Sequence, residues 1–176
     1  MDFNRNRRNQ FQRSSFGSVK GVIVDMVPAR SGGRRGDGCV IFAAVEDMDG
    51  NTVNFIIDPS AYVVDFTTLN VGMTCTFWYR TDVPVPLIYP PQYNAVVIAV
   101  ERRGRMIDVS FYNNALLNEE QTLQLNLDAS VELRTANNQY FQGSPANHNL
   151  VVIYENSTRS MPAQTTPRKV VVLCEQ

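Results

Sequence analysis

The sequence is 176 residues long, 44% of them hydrophobic, and it carries a formal net charge of -1 at neutral pH. This length allows one medium domain or two small ones, and the hydrophobic share is that of a folded globular protein. No apolar stretch approaches the roughly 20 residues needed to cross a bilayer, and the polar start lacks the apolar core of a secretory signal. We therefore expect a cytoplasmic protein with no membrane partner.

The charge is unevenly spread along the chain. Residues 1–37 hold eight Lys or Arg and three Asp, which leaves eight basic and fourteen acidic residues in the remainder. Within this basic start, residues 1–16 are rich in Asn, Arg, Gln and Ser. Such a composition cannot bury enough apolar surface to offset the entropy of ordering. The sequence predicts a disordered basic arm over residues 1–16.

The three cysteines, Cys39, Cys75 and Cys174, are far apart and lie in or beside apolar runs. No Cys-x-x-Cys or paired Cys/His spacing is present, which argues against a zinc site or a disulfide framework. We expect buried free thiols in a reducing compartment, and no bound metal.

Five strands are predicted in the first half from runs of β-branched and apolar residues, at residues 19–27, 39–45, 52–57, 74–80 and 95–100. The pair Asp49-Gly50 between the second and third runs predicts an antiparallel hairpin, because Gly accepts a positive φ at no steric cost. A short connection over residues 59–70 and a proline-rich loop over residues 82–92 complete the pattern. Three strands, a short crossover and two more strands are typical of the oligonucleotide/oligosaccharide-binding (OB) barrel.

The second half repeats this plan, with predicted strands at residues 106–112, 122–127, 131–133, 150–154 and 170–173. The run that starts at Pro90 aligns without gaps on the run that starts at Pro162, each with Gln two places on and a valine-rich strand behind it. Similarity at a fixed offset indicates one supersecondary unit used twice. The sequence thus predicts an all-β protein of two tandem five-stranded OB-like barrels, over residues 17–102 and, more divergent, 103–176.

The two loops that precede the valine-rich strands also carry a family resemblance. Tyr89-Pro90-Pro91-Gln92 and the segment 157–167, with Pro-Ala-Gln-Thr at its centre, resemble the loop signature of uncharacterised small β-barrel domains of anaerobic Firmicutes. The resemblance implies a β-barrel fold and a bacterial origin, and it implies no catalytic residues.

Motifs for catalysis are missing from the sequence. The sole histidine, His148, lies in a turn-like stretch without a nucleophile motif, and no phosphate loop, dinucleotide fingerprint or Gly-x-Ser-x-Gly occurs. We predict a protein that is not an enzyme and needs no cofactor. A sparse site assembled from distant acids and tyrosines stays open as an alternative.

A basic loop and several aromatic residues point to a binding role. Residues 30–38 would join the first two strands beside the usual ligand face of an OB barrel, and the proline-rich loop would lie on the same side. Arginines for phosphates and aromatic rings for bases are what single-stranded nucleic-acid binding requires. The alternative interpretation of the arginines is a solvated loop, and that of the tryptophan is a place in the core. The site predicted in this way consists of Arg30, Arg34, Arg35, Trp78, Tyr89 and Tyr93.

Taken together, these patterns predict a non-enzymatic binding protein, a bacterial adaptor or structural module with a protein partner. Single-stranded nucleic-acid binding and carbohydrate or small-ligand binding are the two alternatives. The proline-rich loop is interpreted as a lid over one barrel end, with a polyproline surface for a partner as the other interpretation.

Overall fold

The computed structural model describes residues 13–30 and 36–174. The protein is all-β, as predicted, and the described residues form no α-helix, only a short 3₁₀ turn at Val64–Phe66. No helix in this part of the chain has the length and apolarity needed to cross a membrane. The strands are β1 (Phe16–Pro28), β2 (Ile41–Asp47), β3 (Thr52–Ile57), β4 (Tyr62–Val63), β5 (Thr74–Arg80), β6 (Gln92–Asn94), β7 (Val97–Val100), β8 (Met106–Tyr112), β9 (Leu123–Leu125), β10 (Glu132–Thr135), β11 (His148–Tyr154), β12 (Ala163–Thr165) and β13 (Lys169–Leu173).

The predicted hairpin is confirmed, since β2 and β3 pair antiparallel. Asp47 closes the turn: its Oδ1 accepts hydrogen bonds from the backbone N–H groups of Asp49 at 2.9 Å and Asn51 at 2.8 Å. Gly50 has φ +83°, a conformation that costs glycine nothing and other residues more. The local sequence alone is sufficient to fix this connection.

The strands of the described residues form three sheets. The largest has seven strands in the order β4-β7-β5-β1-β2-β3-β6, the second has four in the order β10-β13-β11-β8, and β12 pairs with β9. The edge strands β4 and β6 of the largest sheet are two and three residues long. Short edges leave few unpaired backbone groups that could join a foreign strand.

The prediction of two tandem OB-like barrels is wrong, because the strands form a β-solenoid of about three turns instead of closed barrels. Four parallel pairs, β3 with β6, β4 with β7, β9 with β12 and β10 with β13, join residues that are 38, 35, 40 and 37 positions apart. Successive passes of the chain therefore lie side by side in the same direction. Three of these strands, β4, β6 and β12, are too short to show a periodic pattern, which is why the sequence did not predict them.

The internal repeat noted in the sequence has a structural counterpart. A turn closed by an Asp side chain occurs in both halves, where the Ser60 N–H donates to Asp58 Oδ1 and the Ser130 N–H to Asp128 Oδ1, each at 2.8 Å. Cis peptide bonds precede Pro90 and Pro162, just before β6 and β12. The pairings of β3 to β7 recur in β9 to β13, and the place of β2 is taken by single antiparallel bridges of Asn118 to β8 and of Leu117 to β9.

Most of the predicted arm, residues 1–12, lies outside the described residues, but its last residues contact the second half. Ser14 is buried, and its N–H donates to Asn149 Oδ1 at 3.2 Å while Asn149 Nδ2 donates to Ser14 Oγ. Arg13 forms an ion pair with Glu119 at 2.9 Å. The chain is thus attached to β11 just before β1 begins.

Apolar side chains form three clusters. One lies within the first half around Phe55 and Phe77, and one within the second half around Tyr112 and Leu150. The third, which we call the junction cluster, combines both halves: its members are Tyr62, Val64, Trp78, Val97, Ala99, Val109, Val151, Ile153 and Val171. The two halves therefore share one buried layer.

All three cysteines are free thiols, and Cys75 is buried as predicted. Cys39 and Cys174 are exposed, so the prediction of burial is wrong for these two. Each lies just outside a strand, Cys39 shortly before β2 and Cys174 directly after β13.

Candidate binding surface of the first half

The proline-rich loop, residues 82–91, connects β5 to β6 and projects into solvent. Leu87 is 100% exposed and Tyr89 is 87% exposed. Three further apolar side chains of this segment are exposed: Val83, Val85 and Ile88. The interpretation as a lid is therefore wrong for residues 87–89, because a lid would bury these side chains against the core, whereas residues 83–86 lie over a cavity that Tyr93 also lines.

Both ends of the proline-rich loop are fixed to the sheet. At the start, Arg80 donates through Nε at 3.1 Å and Nη2 at 2.9 Å to the two carboxylate oxygens of Asp82. These hydrogen bonds hold the pKa of Asp82 below its ordinary value. At the end, the Pro91 carbonyl accepts a hydrogen bond from the Asn54 N–H at 2.8 Å. The exposed apolar residues are thus displayed between two anchored points.

The two tyrosines predicted for the site have different surroundings. Tyr89 lies in solvent at the tip of the loop, whereas Tyr93 on β6 is half-buried and stacks on Tyr79 with 3.9 Å between ring centroids. Phe55 lies against both stacked rings. Burial raises the pKa of Tyr79, and the neighbouring Tyr93 makes a smaller contribution in the same direction. One face of the Tyr93 ring is thus covered by Tyr79.

Arg30 and Tyr93 border neighbouring cavities. Arg30 is exposed and lines a cavity of about 940 Å³ whose apolar wall includes Phe42 and Ile56. Tyr93 lines a second cavity of about 360 Å³ beneath the proline-rich loop. Gln92 contributes to both cavities, so the two cavities adjoin at this residue. The other predicted arginines, Arg34 and Arg35, lie outside the described residues.

Trp78 is separated from the other predicted site residues. Its side chain belongs to the junction cluster and is 9% exposed, while Phe77 and Tyr79 on the same strand pack with the first-half cluster. The alternation expected of a strand is confirmed. The core interpretation of Trp78 is also confirmed, and this residue offers no stacking platform on the surface of Arg30 and Tyr93.

The remaining polar candidates are engaged in local contacts. His148 begins β11, where its Nδ1 lies 2.8 Å from the Ala146 carbonyl and its ring packs edge-on against Phe141. It is half-buried in a strand, whereas the sequence suggested a turn-like stretch at this position. In residues 13–30 and 36–174, no three His, Cys, Asp or Glu side chains come together as a metal ion would need.

The exposed apolar run of the proline-rich loop is the feature that departs most from its interpretation as a lid. Apolar residues that alternate with prolines, as in Val83-Pro84-Val85-Pro86-Leu87, have no partner strand, because Pro cannot donate to a ladder. That signal was present in the sequence and favoured an exposed extended segment.

The structure defines an all-β protein of solenoid type whose first half displays an anchored apolar loop beside two cavities. Comparison of the chain with protein-family models, curated proteins and solved structures gave no match. The resemblance to β-domains of Firmicutes stays a prediction.

Proposed function

We propose that this chain is a non-enzymatic interaction module that binds a protein partner through the proline-rich loop. One observation carries the proposal: five apolar side chains within seven residues, from Val83 to Tyr89, are exposed, with Leu87 fully so. Concentrated apolar exposure of this kind marks protein interaction sites, because it lowers solubility unless a partner covers it.

The chemistry of the loop suggests the kind of partner. Residues 84–88 belong to no strand or turn, and prolines alternate with apolar residues through this stretch. Such extended segments bind in grooves lined by aromatic rings, into which alternate side chains insert. Because both loop ends are anchored, less conformational entropy is lost on binding. We infer a partner with an aromatic groove that accepts Leu87 and Tyr89.

A variant pair tests the proposal. Leu87→Ser with Tyr89→Ser removes the two most exposed anchors, and Met48→Ser with Val71→Ser removes comparable apolar residues, 63% and 57% exposed, outside the loop. Proteins enriched by the wild type but not by the loop variant are purified and titrated by isothermal calorimetry. We expect the loop variant to bind at least about thirtyfold more weakly, the effect of losing a binding hot spot. The matched control should bind within about twofold of the wild type.

The salt dependence of the same titrations adds a second criterion. Binding through apolar surface should change little between low and near-physiological salt, whereas binding through charges should weaken steeply. A purified partner whose affinity is the same for the loop variant and the wild type, or a wild type that enriches nothing over the loop variant, contradicts the proposal.

Single-stranded nucleic acid is the second candidate ligand, and the adjacency of Arg30 and Tyr93 across Gln92 favours it. A phosphate could pair with the guanidinium while a base contacts the tyrosine edge. Fluorescence anisotropy of labelled mixed-sequence DNA and RNA tests this idea at two salt concentrations. Arg30→Gln should weaken binding and reduce its salt dependence, and no binding at low salt would rule this candidate out.

A further inference from the structure

A groove lies at the junction of the two halves, on the opposite side of β5 from the first-half core. Its volume is about 530 Å³, which is within the range of small-ligand pockets. Strands β1 and β5 contribute one wall and β8 the other, with Trp78 and Asp108 among the lining residues. Ligand sites are often found between two packed units, because each supplies part of the wall. We call this cavity the junction groove.

Three polar groups that line the junction groove have no hydrogen-bond partner among the described residues. They are the Trp78 indole N–H, the Tyr154 hydroxyl and Asp108 Oδ1. By contrast, Asp108 Oδ2 accepts hydrogen bonds from the Tyr112 hydroxyl at 2.5 Å and from Asn118 Nδ2 at 3.4 Å. Among the described residues, Arg134 Nε is the one buried side-chain atom without a hydrogen-bond partner, so the three groups of the groove are open to water that a ligand can displace. The groove thus offers two donors and one acceptor to a ligand.

The protonation states of these groups suit hydrogen bonding to a neutral molecule. Burial raises the pKa of Tyr154, and the nearby Asp108 makes a smaller contribution in the same direction. The hydroxyl therefore keeps its proton at neutral pH and can donate a hydrogen bond. Burial also raises the pKa of Asp108, although the hydrogen bonds from Tyr112 and Asn118 oppose this.

The charges along the junction groove balance. Lys20 lies 3.4 Å from Glu101, and Arg105 lies 2.9 Å from Asp65, so these cations already have anionic partners. An anionic ligand would have to compete with these two carboxylates for the cations. The charged lining residues are three cations and three anions, Lys20, Arg102, Arg105, Glu101, Asp108 and Glu120.

We propose that the junction groove binds a neutral polyhydroxylated ligand, a short oligosaccharide, whose hydroxyls pair with Tyr154, Asp108 and the Trp78 N–H. Sugars present closely spaced hydroxyls that both donate and accept, together with C–H faces that can lie on the half-buried apolar side chains Phe16 and Ile107. The loop surface of the first half is not involved, so this site is independent of the proposed protein interaction.

The single tryptophan of the chain makes the test direct, since Trp78 lines the groove and its fluorescence reports occupancy. Cellotetraose, maltotetraose and the tetramer of N-acetylglucosamine are titrated against the full chain, with saturation-transfer NMR as a second readout. We expect at least one of them to bind saturably. Tyr154→Phe should then weaken binding about tenfold, the effect of losing one hydrogen bond of about 1.4 kcal/mol.

Two control variants distinguish binding in the junction groove from binding elsewhere on the chain. Tyr140→Phe makes the same chemical change at a residue that is 72% exposed and stacked under Arg134, and it should leave the affinity unchanged. The variant Leu87→Ser with Tyr89→Ser should also bind the sugar with the affinity of the wild type, regardless of its affinity for the protein partner. The proposal is overturned if none of the three sugars binds by either readout, or if Tyr154→Phe and Tyr140→Phe bind equally well. Tighter binding of glucuronate or inorganic phosphate than of the neutral sugars would also overturn it.

Discussion

Asp108 illustrates how one side chain can serve the interior and a surface groove at the same time. One carboxylate oxygen accepts hydrogen bonds from Tyr112 and Asn118, and Asn118 is itself buried at the centre of a polar network. Asn118 also fixes the turn before β9, because its Oδ1 accepts the N–H groups of Thr122 at 2.8 Å and Leu123 at 3.0 Å. The acid is therefore held in place by structure, while its second oxygen faces no protein donor among the described residues.

The first prediction concerns the pH dependence of stability. Because burial raises the pKa of Asp108 in the folded protein above the ordinary value of 3.8, the folded state binds this proton more tightly than the unfolded state. The contribution of Asp108 to the free energy of unfolding is fully present below pH 3.8, and it is lost as the pH rises through the pKa of this carboxyl in the folded protein. Asp108→Asn removes the titration, so the free energy of unfolding of the variant should increase relative to the wild type as the pH is raised from 3.8 toward neutral. Urea titrations across this range measure it.

Asp128 provides the control of opposite sign. Hydrogen bonds from Ser130 lower the pKa of its carboxyl, so its contribution is present above the ordinary value and is lost as the pH falls. The free energy of unfolding of Asp128→Asn should therefore fall relative to that of the wild type only as the pH rises toward 3.8, and the two profiles should run parallel at higher pH. Parallel profiles for the wild type and Asp108→Asn would show that the carboxyl is not shifted.

At the scale of strands, local sequence patterns predicted ten of the strands. The hairpin at Asp47 shows why such prediction succeeds. Alternating β-branched residues and a turn with Gly50 are properties of neighbouring residues, so the sequence displays them directly. The parallel pairs β4 with β7 and β6 with β3 involve two or three residues each and partners 35 to 38 positions away. No local pattern encodes such a pairing, and without these pairs the sequence suggested closed barrels.

The candidate site could be predicted only in part for the same reason. Residue type correctly indicated that Arg30 and Tyr89 would be exposed, because both lie in loops. The contact between the two halves decides which face of β5 is buried against the second half. That contact places Trp78 among Val97 and Ile153. The junction groove, with Tyr154 from the second half, could not be inferred from either half alone.

The second prediction concerns the attachment of the chain to β11 ahead of β1. Asn149 accepts a hydrogen bond from the Ser14 N–H and donates to Ser14 Oγ, both at 3.2 Å, and both residues are buried. Asn149→Ala leaves the Ser14 groups unpaired, so we expect a loss of about 1 to 3 kcal/mol in the free energy of unfolding. Faster hydrogen exchange at the Ser14 amide should accompany it. Asn156→Ala, at an exposed side chain, should change stability by less than about 0.5 kcal/mol; equal effects of the two variants would contradict the prediction.

At the scale of the whole molecule, the junction cluster decides whether the two halves fold separately. Trp78 and Val97 from the first half and Ile153 and Val171 from the second are buried in one layer. Two units of this size would each have a small core, so a shared apolar layer adds stability that neither half has alone. The solenoid arrangement has the same consequence, because a turn of such a stack is stabilised by its neighbours.

The third prediction follows from this shared layer. Ile153→Ala removes a fully buried side chain on β11, and we expect a loss of about 3 kcal/mol in the free energy of unfolding. Because the layer is shared, the urea midpoint reported by Trp78 fluorescence should fall together with the midpoint from far-UV circular dichroism. Met161→Ala, at a side chain 81% exposed, should shift neither midpoint. If Trp78 kept its midpoint while the dichroism transition split in two, the halves would be independent units. In that case the junction groove would be a contact between two domains, each folding on its own core.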